Sequence, residues 1–130
     1  MEPYIAALSD TALLMLRLLI AVLFATSGWA HATRPQERGE SIGMSPLPTV
    51  VLGVVELLGA ASVALGLYAG AGAILLMVVM LGAIYKKVFV WKTGFWGEES
   101  QGWFYDLLYL VCSFVILTTG GGAYVLAGPP

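Results

Sequence analysis

The chain is poor in charge. It has six Lys and Arg and eight Asp and Glu among 130 residues, or 11%, where a soluble domain carries about 25%. Hydrophobic residues make up 59% of it, which excludes an ordinary cytosolic enzyme and makes a lipid bilayer the expected solvent. Because a net charge of −2 leaves no basic surface able to neutralise a run of phosphates, nucleic acid is excluded as a partner.

Cysteine and histidine are equally scarce. Cys112 and His31 each occur once, so the chain alone cannot build a disulfide, a CxxC redox pair or a thiolate metal cluster. One His also cannot supply two axial haem ligands or a His-rich metal site. We therefore expect no metal, no encoded cofactor and no complete oxidoreductase from this chain by itself, and no catalytic residue is assigned.

Four apolar runs divide the sequence, at residues 11–31, 48–68, 70–91 and 103–119. Each is close to the roughly 20 residues that cross the hydrocarbon as a helix, although the last is somewhat short. Runs without strict alternation favour helices over a barrel. The sequence predicts an all-α fold, a four-transmembrane-helix bundle in a single membrane domain over residues 1–130. Acidic Glu2 and Asp10, with Arg17 inside the first run, argue against a cleaved signal peptide.

The basic residues outside the apolar runs lie in the first and third connections, at Arg34, Arg38 and Lys92, on the side where all four Trp also fall. By the positive-inside rule, these two loops face the cytoplasm and both termini face outward.

Five charged residues lie within the apolar runs: Arg17, Glu56, Lys86, Lys87 and Asp106. A charge at mid-bilayer costs at least about 2.5 to 3.5 kcal/mol unless it is paired or hydrated. Their depths predict one pair between Arg17 and Glu56 and another between Lys86 or Lys87 and Asp106, with Lys87 the expected spare cation reaching the headgroups. Such pairs could serve only to fix helix register, or they could form a site.

Helical periodicity turns these charges inward. On the first helix a single stripe carries Arg17, Phe24, Gly28 and His31, and on the second Gly53 and Gly59 flank Glu56. On the fourth, Asp106 shares a face with Tyr109 and Ser113. The candidate site is therefore an intramembrane polar cluster of Arg17, Glu56, Asp106, Lys86 and Tyr109. His31 is either the proton-exchanging group of this site or a solvated interfacial residue.

The third connection is rich in aromatic residues, namely Trp91, Phe95, Trp96 and Trp103. Aromatic rings at this position are typical of a belt that anchors in the headgroup region. The alternative is a surface that docks a partner protein.

Three ordered motifs resemble the DoxX family of small four-helix membrane proteins. The first runs from Arg17 through Phe24 and Gly28, the second is Glu56-Leu-Leu-Gly59 with Gly66 beyond it, and the third is the Gly-rich tail that ends in Tyr124-Val-Leu. This sequence differs from the family pattern at Ala21, His31, Ala123 and Ala127.

The resemblance implies a bundle associated with redox physiology, such as sulfur oxidation linked to quinone, in a prokaryotic cytoplasmic membrane. The leading hypothesis is a DoxX-like subunit that anchors or supports a membrane redox assembly and contacts quinone or relays protons through its polar cluster. A second is a non-catalytic assembly subunit, and a third is a small transporter or proton path. Expected partners are lipid and other membrane or redox subunits, or further copies of the chain.

Overall fold

The structure, a computed structural model, describes residues 2–97 and 102–126, and every regular element in this part of the chain is helical. The helices are α1 (Glu2–Thr33), α2 (Pro35–Ile42), α3 (Pro46–Leu65), α4 (Ala69–Tyr85) and α5 (Phe104–Thr119). A π-helical turn, Lys86–Val90, continues α4. The predicted all-α bundle is confirmed.

Three helical segments have the length and composition to cross a bilayer: Ala7–Thr33, Pro46–Leu65 and Ala69–Val90. The fourth, α5, is apolar but has 16 residues, about 24 Å of helix. Most large side chains on the outer faces of these helices are exposed, for example Val22, Leu58 and Val78 at about 60%. Because a soluble protein does not expose apolar surface on this scale, the chain is a membrane protein.

The four long helices alternate in direction, so their ends gather at two sides of the bundle. We call the side with α2, the π-helical turn and the start of α5 the basic end, and the side with the α3–α4 turn and residues 120–126 the tail end. The most extensive packing is between α1 and α3, followed by α5 against α4 and α3 against α4.

Several boundaries differ from the sequence prediction. Helix α1 begins at Glu2 rather than residue 11, and α3 ends at Leu65 rather than 68. The first connection, predicted only as a loop, contains α2, which has Pro35 in its first turn and is capped by Gly43 in the left-handed conformation with φ 72°. Proline at the start and glycine after the end are typical helix boundaries that the polar composition concealed.

Two glycine contacts set the register of the helices. A methyl group on Gly53 would lie 2.6 Å from both the Gly28 carbonyl oxygen and the Ala32 nitrogen, so α1 and α3 touch backbone to backbone. A methyl group on Gly59 would lie 2.8 Å from the Leu76 side chain on α4. These small residues therefore serve the packing between helices of the bundle, as in other membrane helix pairs.

Candidate functional site

A cavity of about 850 Å³ opens at the basic end, between the halves of α3 and α4 that lie there. Much of its wall is aliphatic, including Val51, Val55 and Val78, and the first and last of these are more than half exposed. The cavity therefore opens on the face that the bundle presents to lipid. Ionisable side chains line its remaining walls: His31, Arg38, Glu56, Lys86, Lys87, Tyr105, Asp106 and Tyr109.

The deep wall carries a histidine–carboxylate pair. The Nδ1 atom of His31 lies 3.1 Å from Glu56 Oε1 and 3.3 Å from the Ser27 hydroxyl. Both members are buried, at 6% and 2% exposure. The Gly28–Gly53 contact brings the last turn of α1 against the middle of α3, which places His31 beside Glu56. The solvated interfacial interpretation of His31 is therefore wrong.

This pair keeps two polar atoms without a hydrogen-bond partner among the described residues, His31 Nε2 and Glu56 Oε2. A proton on His31 Nδ1 would be donated to Glu56 Oε1, which would hold the ring in place and leave Nε2 as a hydrogen-bond acceptor. A buried polar atom without a partner costs roughly 1 to 3 kcal/mol. Both of these atoms are then acceptors, so the arrangement is suited to a ligand that offers a hydroxyl or another hydrogen-bond donor.

A second ionic group lies on the opposite wall. Lys87 Nζ is 2.8 Å from Asp106 Oδ2, donates a hydrogen bond of 2.6 Å to the Tyr105 hydroxyl, and lies 3.9 Å from the centre of that ring. Lys87 and Asp106 are buried, at 8% and 2% exposure. An ion pair with Asp106 was predicted for Lys86 or Lys87, and Lys87 forms it. Its assignment as the spare cation was wrong.

The helical phase of α4 decides which lysine faces inward. At 100° per residue Lys87 lies within about 20° of the buried residues Leu76 and Met80, whereas Lys86 lies about 80° or more from them. The Trp91 amide donates to the Lys86 carbonyl, five residues back, at 2.7 Å, so the helix widens into the π-helical turn just at these lysines. Turns of this kind are frequent at functional sites.

Lys86 instead closes the cavity towards α2. Its Nζ donates to the carbonyl of Ile42 at 3.0 Å and lies 5.9 Å from the centre of the Trp91 ring. Arg38 lies one helical turn before Ile42 on α2 and lines the same cavity, and its buried Nε atom has no partner among the described residues. We call Arg38, Lys86 and Trp91 the mouth of the cavity.

Arg17 is not part of this site, and the predicted Arg17–Glu56 pair is wrong. Arg17 is 1% exposed and donates to four backbone carbonyls, those of Val63, Ala64, Gly121 and Tyr124, at 2.6 to 3.2 Å. The α1–α3 register places it level with Val63, seven residues or about 10 Å of helix beyond Glu56. Arg17 therefore holds the last turn of α3 and the segment after α5 together at the tail end.

Other predicted residues lie as follows. The inward stripe of α1 is confirmed, since Phe24 and Gly28 are buried along with Arg17 and His31. Tyr109 lines the cavity, half-buried, with its ring 5.9 Å from that of Phe24. Of the predicted polar cluster, the cavity thus brings together Glu56, Asp106, Lys86 and Tyr109.

The aromatic side chains of the third connection lie in two separate places. Phe95 packs edge-on against Trp96 and Trp103, with ring centres 4.8 and 4.7 Å apart, and Trp96 is 74% exposed. Trp91 belongs instead to the mouth of the cavity. The acidic residues at 98 and 99, included in the same predicted segment, lie outside the described residues.

Sequence reasoning missed Tyr105, Arg38 and Ser27. Tyr105 directly precedes Asp106, and its hydrogen bond from Lys87, at 2.6 Å, is what places it in the site. Arg38 was counted only for membrane orientation, because the first connection was not predicted to fold back as α2. The Ser27–His31 spacing of four residues is the one signal that was available.

Comparison with known proteins identifies one family. The DoxX family model matches residues 12–92, more than half of the chain, and the chain therefore belongs to the DoxX family. The matched segment runs from α1 through the π-helical turn and includes His31, Glu56, Lys86 and Lys87. No curated protein and no solved structure matches the chain.

Proposed function

We propose that this DoxX-family membrane protein is a subunit of a membrane redox assembly and that its cavity binds the headgroup of a quinone-type carrier. The observation that carries the proposal is a lipid-facing apolar cavity with the buried His31–Glu56 pair on its wall. Ligand pockets typically combine apolar walls with a few convergent polar groups. A flat ring fits the apolar walls, and in its reduced form a ring hydroxyl would donate to the acceptor atoms without partners.

Two sets of residues would act on such a ring. His31 Nε2 would accept a proton from a ligand hydroxyl or return it, while Glu56 holds the imidazole through Nδ1. On the opposite wall, the hydroxyls of Tyr105 and Tyr109 are available to donate to a second ligand oxygen. The role of this chain would be to bind and orient the ring and to exchange its protons.

The electrons would have to pass to or from a partner. A flavin or a disulfide on another subunit would accept the two electrons that a quinol releases with its two protons, whereas a haem would accept them one at a time. The chain would then anchor that subunit and present the carrier to it. We extend the proposal to topology, with the basic end in the cytoplasm of a prokaryotic cell and both termini outside.

Binding is tested by quenching of tryptophan fluorescence with a short-chain quinone, using the full chain in lipid nanodiscs. Saturable quenching is expected, because Trp91 lines the cavity. Glu56→Gln, which keeps the shape but changes the hydrogen bonding and charge, is expected to weaken binding about tenfold or more. This corresponds to roughly 1.4 kcal/mol, at the low end for a hydrogen bond to a charged group.

A steric pair of variants gives the matched control. A methyl group on Gly82 meets no atom within 4 Å, and Gly82 lines the cavity, so Gly82→Leu is expected to obstruct the cavity without disturbing packing. Ala71→Leu adds bulk to an exposed position of the same helix outside the cavity and is expected to leave binding unchanged. Equal quinone affinity in all variants would refute the proposal.

A second candidate is a purely structural subunit. The exposed Trp96, beside Phe95 and Trp103, favours it because aromatic side chains commonly anchor protein interfaces. This function predicts co-purification with larger subunits that is lost in Trp96→Ala and retained in Glu56→Gln. Quinone-linked turnover of the assembly is expected to show the opposite dependence if the redox function is correct.

A further inference from the structure

We propose that the mouth of the cavity binds the headgroup phosphate of an anionic phospholipid, through Arg38 and Lys86, while an acyl chain lies in the opening between α3 and α4. The proposal concerns the mouth and does not depend on what occupies the deep wall beside His31 and Glu56. Its test is therefore independent of the test of quinone binding.

The mouth of the cavity has an excess of positive charge. Within the described residues, the carboxylates that line the cavity are engaged: Glu56 with His31 and Asp106 with Lys87. Neither cation of the mouth has a carboxylate within 4 Å in the same part of the chain, whereas Arg34, just outside the cavity, lies 3.8 Å from Glu37. The mouth therefore carries two positive charges that the described carboxylates do not neutralise.

Lys86 and Arg38 both have hydrogen-bond donors that the described residues do not use. An ammonium group has three donors, and the described contacts of Lys86 use one of them, on the Ile42 carbonyl. Arg38 keeps a buried Nε donor without a described partner. A phosphate diester has two anionic oxygens, and Arg matches phosphate geometry through its planar fork of N–H groups. Phosphate therefore satisfies both side chains together.

The opening of the cavity beside the mouth is apolar and exposed. Leu47, Val51 and Val78 line the cavity and are 74%, 56% and 62% exposed, so an apolar slot leads from the mouth along α3 and α4. A free anion would not cover the apolar side chains of this slot, and a neutral lipid would leave the two cations without a counterion. Basic pockets between transmembrane helices bind anionic headgroups in this way. An anionic lipid uses both parts.

The test uses the full chain with Trp29, Trp96 and Trp103 changed to Phe, so that Trp91 is the sole fluorophore. The protein is placed in phosphatidylcholine vesicles containing brominated phosphatidylglycerol or brominated phosphatidylcholine at matched mole fractions, because bromine quenches a tryptophan in contact with it. Each basic residue near an anionic lipid contributes about fivefold in affinity. Phosphatidylglycerol is therefore expected to bind roughly 25-fold more tightly than phosphatidylcholine.

Variants separate a site from general attraction to a basic surface. Arg38→Gln with Lys86→Gln is expected to remove the preference, and Arg38→Lys with Lys86→Arg is expected to retain most of it. The control, Arg34→Gln with Lys92→Gln, removes the same charge from the same end without touching the cavity and is expected to leave the preference intact. Circular dichroism checks that each variant is folded.

Three outcomes would overturn the proposal. They are equal quenching by the two lipids, equal loss of preference in the cavity and control variants, and displacement of brominated phosphatidylglycerol by millimolar inorganic phosphate, which would make the mouth a free-anion site. Glu56→Gln separates the two proposals, because it is expected to weaken quinone binding and to leave the lipid preference unchanged.

Discussion

The Lys87–Asp106 pair offers the sharpest test of how the bundle accommodates buried charge. Asp106→Asn is nearly isosteric but leaves the ammonium of Lys87 without its counterion, 2.6 Å from a neutral phenol. Breaking a buried ion pair by removing one partner costs about 3 to 5 kcal/mol, because an uncompensated charge remains. We expect a loss of stability in this range.

The double variant Lys87→Met with Asp106→Leu has a different expected result. It removes both charges together, and replacing a buried pair by apolar residues is often neutral or even stabilising by about 1 to 4 kcal/mol. The Tyr105 hydroxyl then loses its charged donor, at a cost of about 1 to 3 kcal/mol, which sets the lower bound on recovery. The double variant is therefore expected to be more stable than Asp106→Asn.

The measurement is a double-mutant cycle built from Lys87→Met, Asp106→Leu and their combination, with reversible unfolding in mixed detergent micelles as the assay. A coupling energy of about 2 kcal/mol or more, in the direction that rescues the double variant, is expected for residues in contact. Additive effects within about 0.5 kcal/mol would refute the pairing. Tyr105→Phe is the control for the hydrogen bond, expected to lose about 1.5 to 3 kcal/mol.

The same cycle distinguishes a structural pair from a functional one. If the pair only fixes helix register, the stable double variant retains quinone binding, since the His31–Glu56 wall is untouched. If Lys87 and Asp106 act on the ligand, binding stays weak although the fold is restored. Stability and affinity measured on one set of proteins therefore decide between these roles.

Two further predictions concern the tail end and the helix crossings. Arg17→Gln removes the charge-assisted hydrogen bonds to the segment after α5. The Leu126 amide, which donates to the Gly66 carbonyl at 3.1 Å, is therefore expected to lose hydrogen-exchange protection by tenfold or more. Unchanged protection would show that Arg17 does not hold this segment. Gly53→Ala forces two backbones apart and is expected to cost about 1 to 3 kcal/mol, whereas Gly82→Ala meets open space and is expected to gain up to about 1 kcal/mol of helix stability. Similar unfolding curves for these two alanine variants would contradict the assigned crossing.

The sequence was sufficient for the bundle and for the inward faces of the first, second and fourth apolar runs. Apolar runs and the cost of charge in lipid are local properties, and they correctly identified Arg17, Glu56, Lys86, Lys87 and Asp106 as the residues that need partners. Choosing the partners was harder. Depth measured from the middle of an apolar run assumes that the helix coincides with the run, but α1 extends nine residues beyond its run at the amino-terminal end.

Interhelical register supplied what the sequence lacked. The contact between Gly28 and Gly53 fixes how far α1 slides along α3, and this sliding separates Arg17 from Glu56. It is not encoded in hydropathy or in a 100° period, because it depends on packing between segments distant in the chain. The choice between Lys86 and Lys87, by contrast, is contained in the 100° period of the third run, in which Lys87 shares a face with the buried Leu76 and Met80.

The Gly28–Gly53 contact also links the stability of the bundle to its candidate site. Gly53 allows α1 to approach closely enough for His31 to reach Glu56, so a larger side chain there acts on the fold and on the deep wall together. The aliphatic rim at Gly82 is independent of this contact. A variant at Gly53 is therefore expected to change stability and ligand affinity in parallel, whereas Gly82→Leu changes affinity alone, and this contrast separates a wall built by helix packing from one that merely borders lipid.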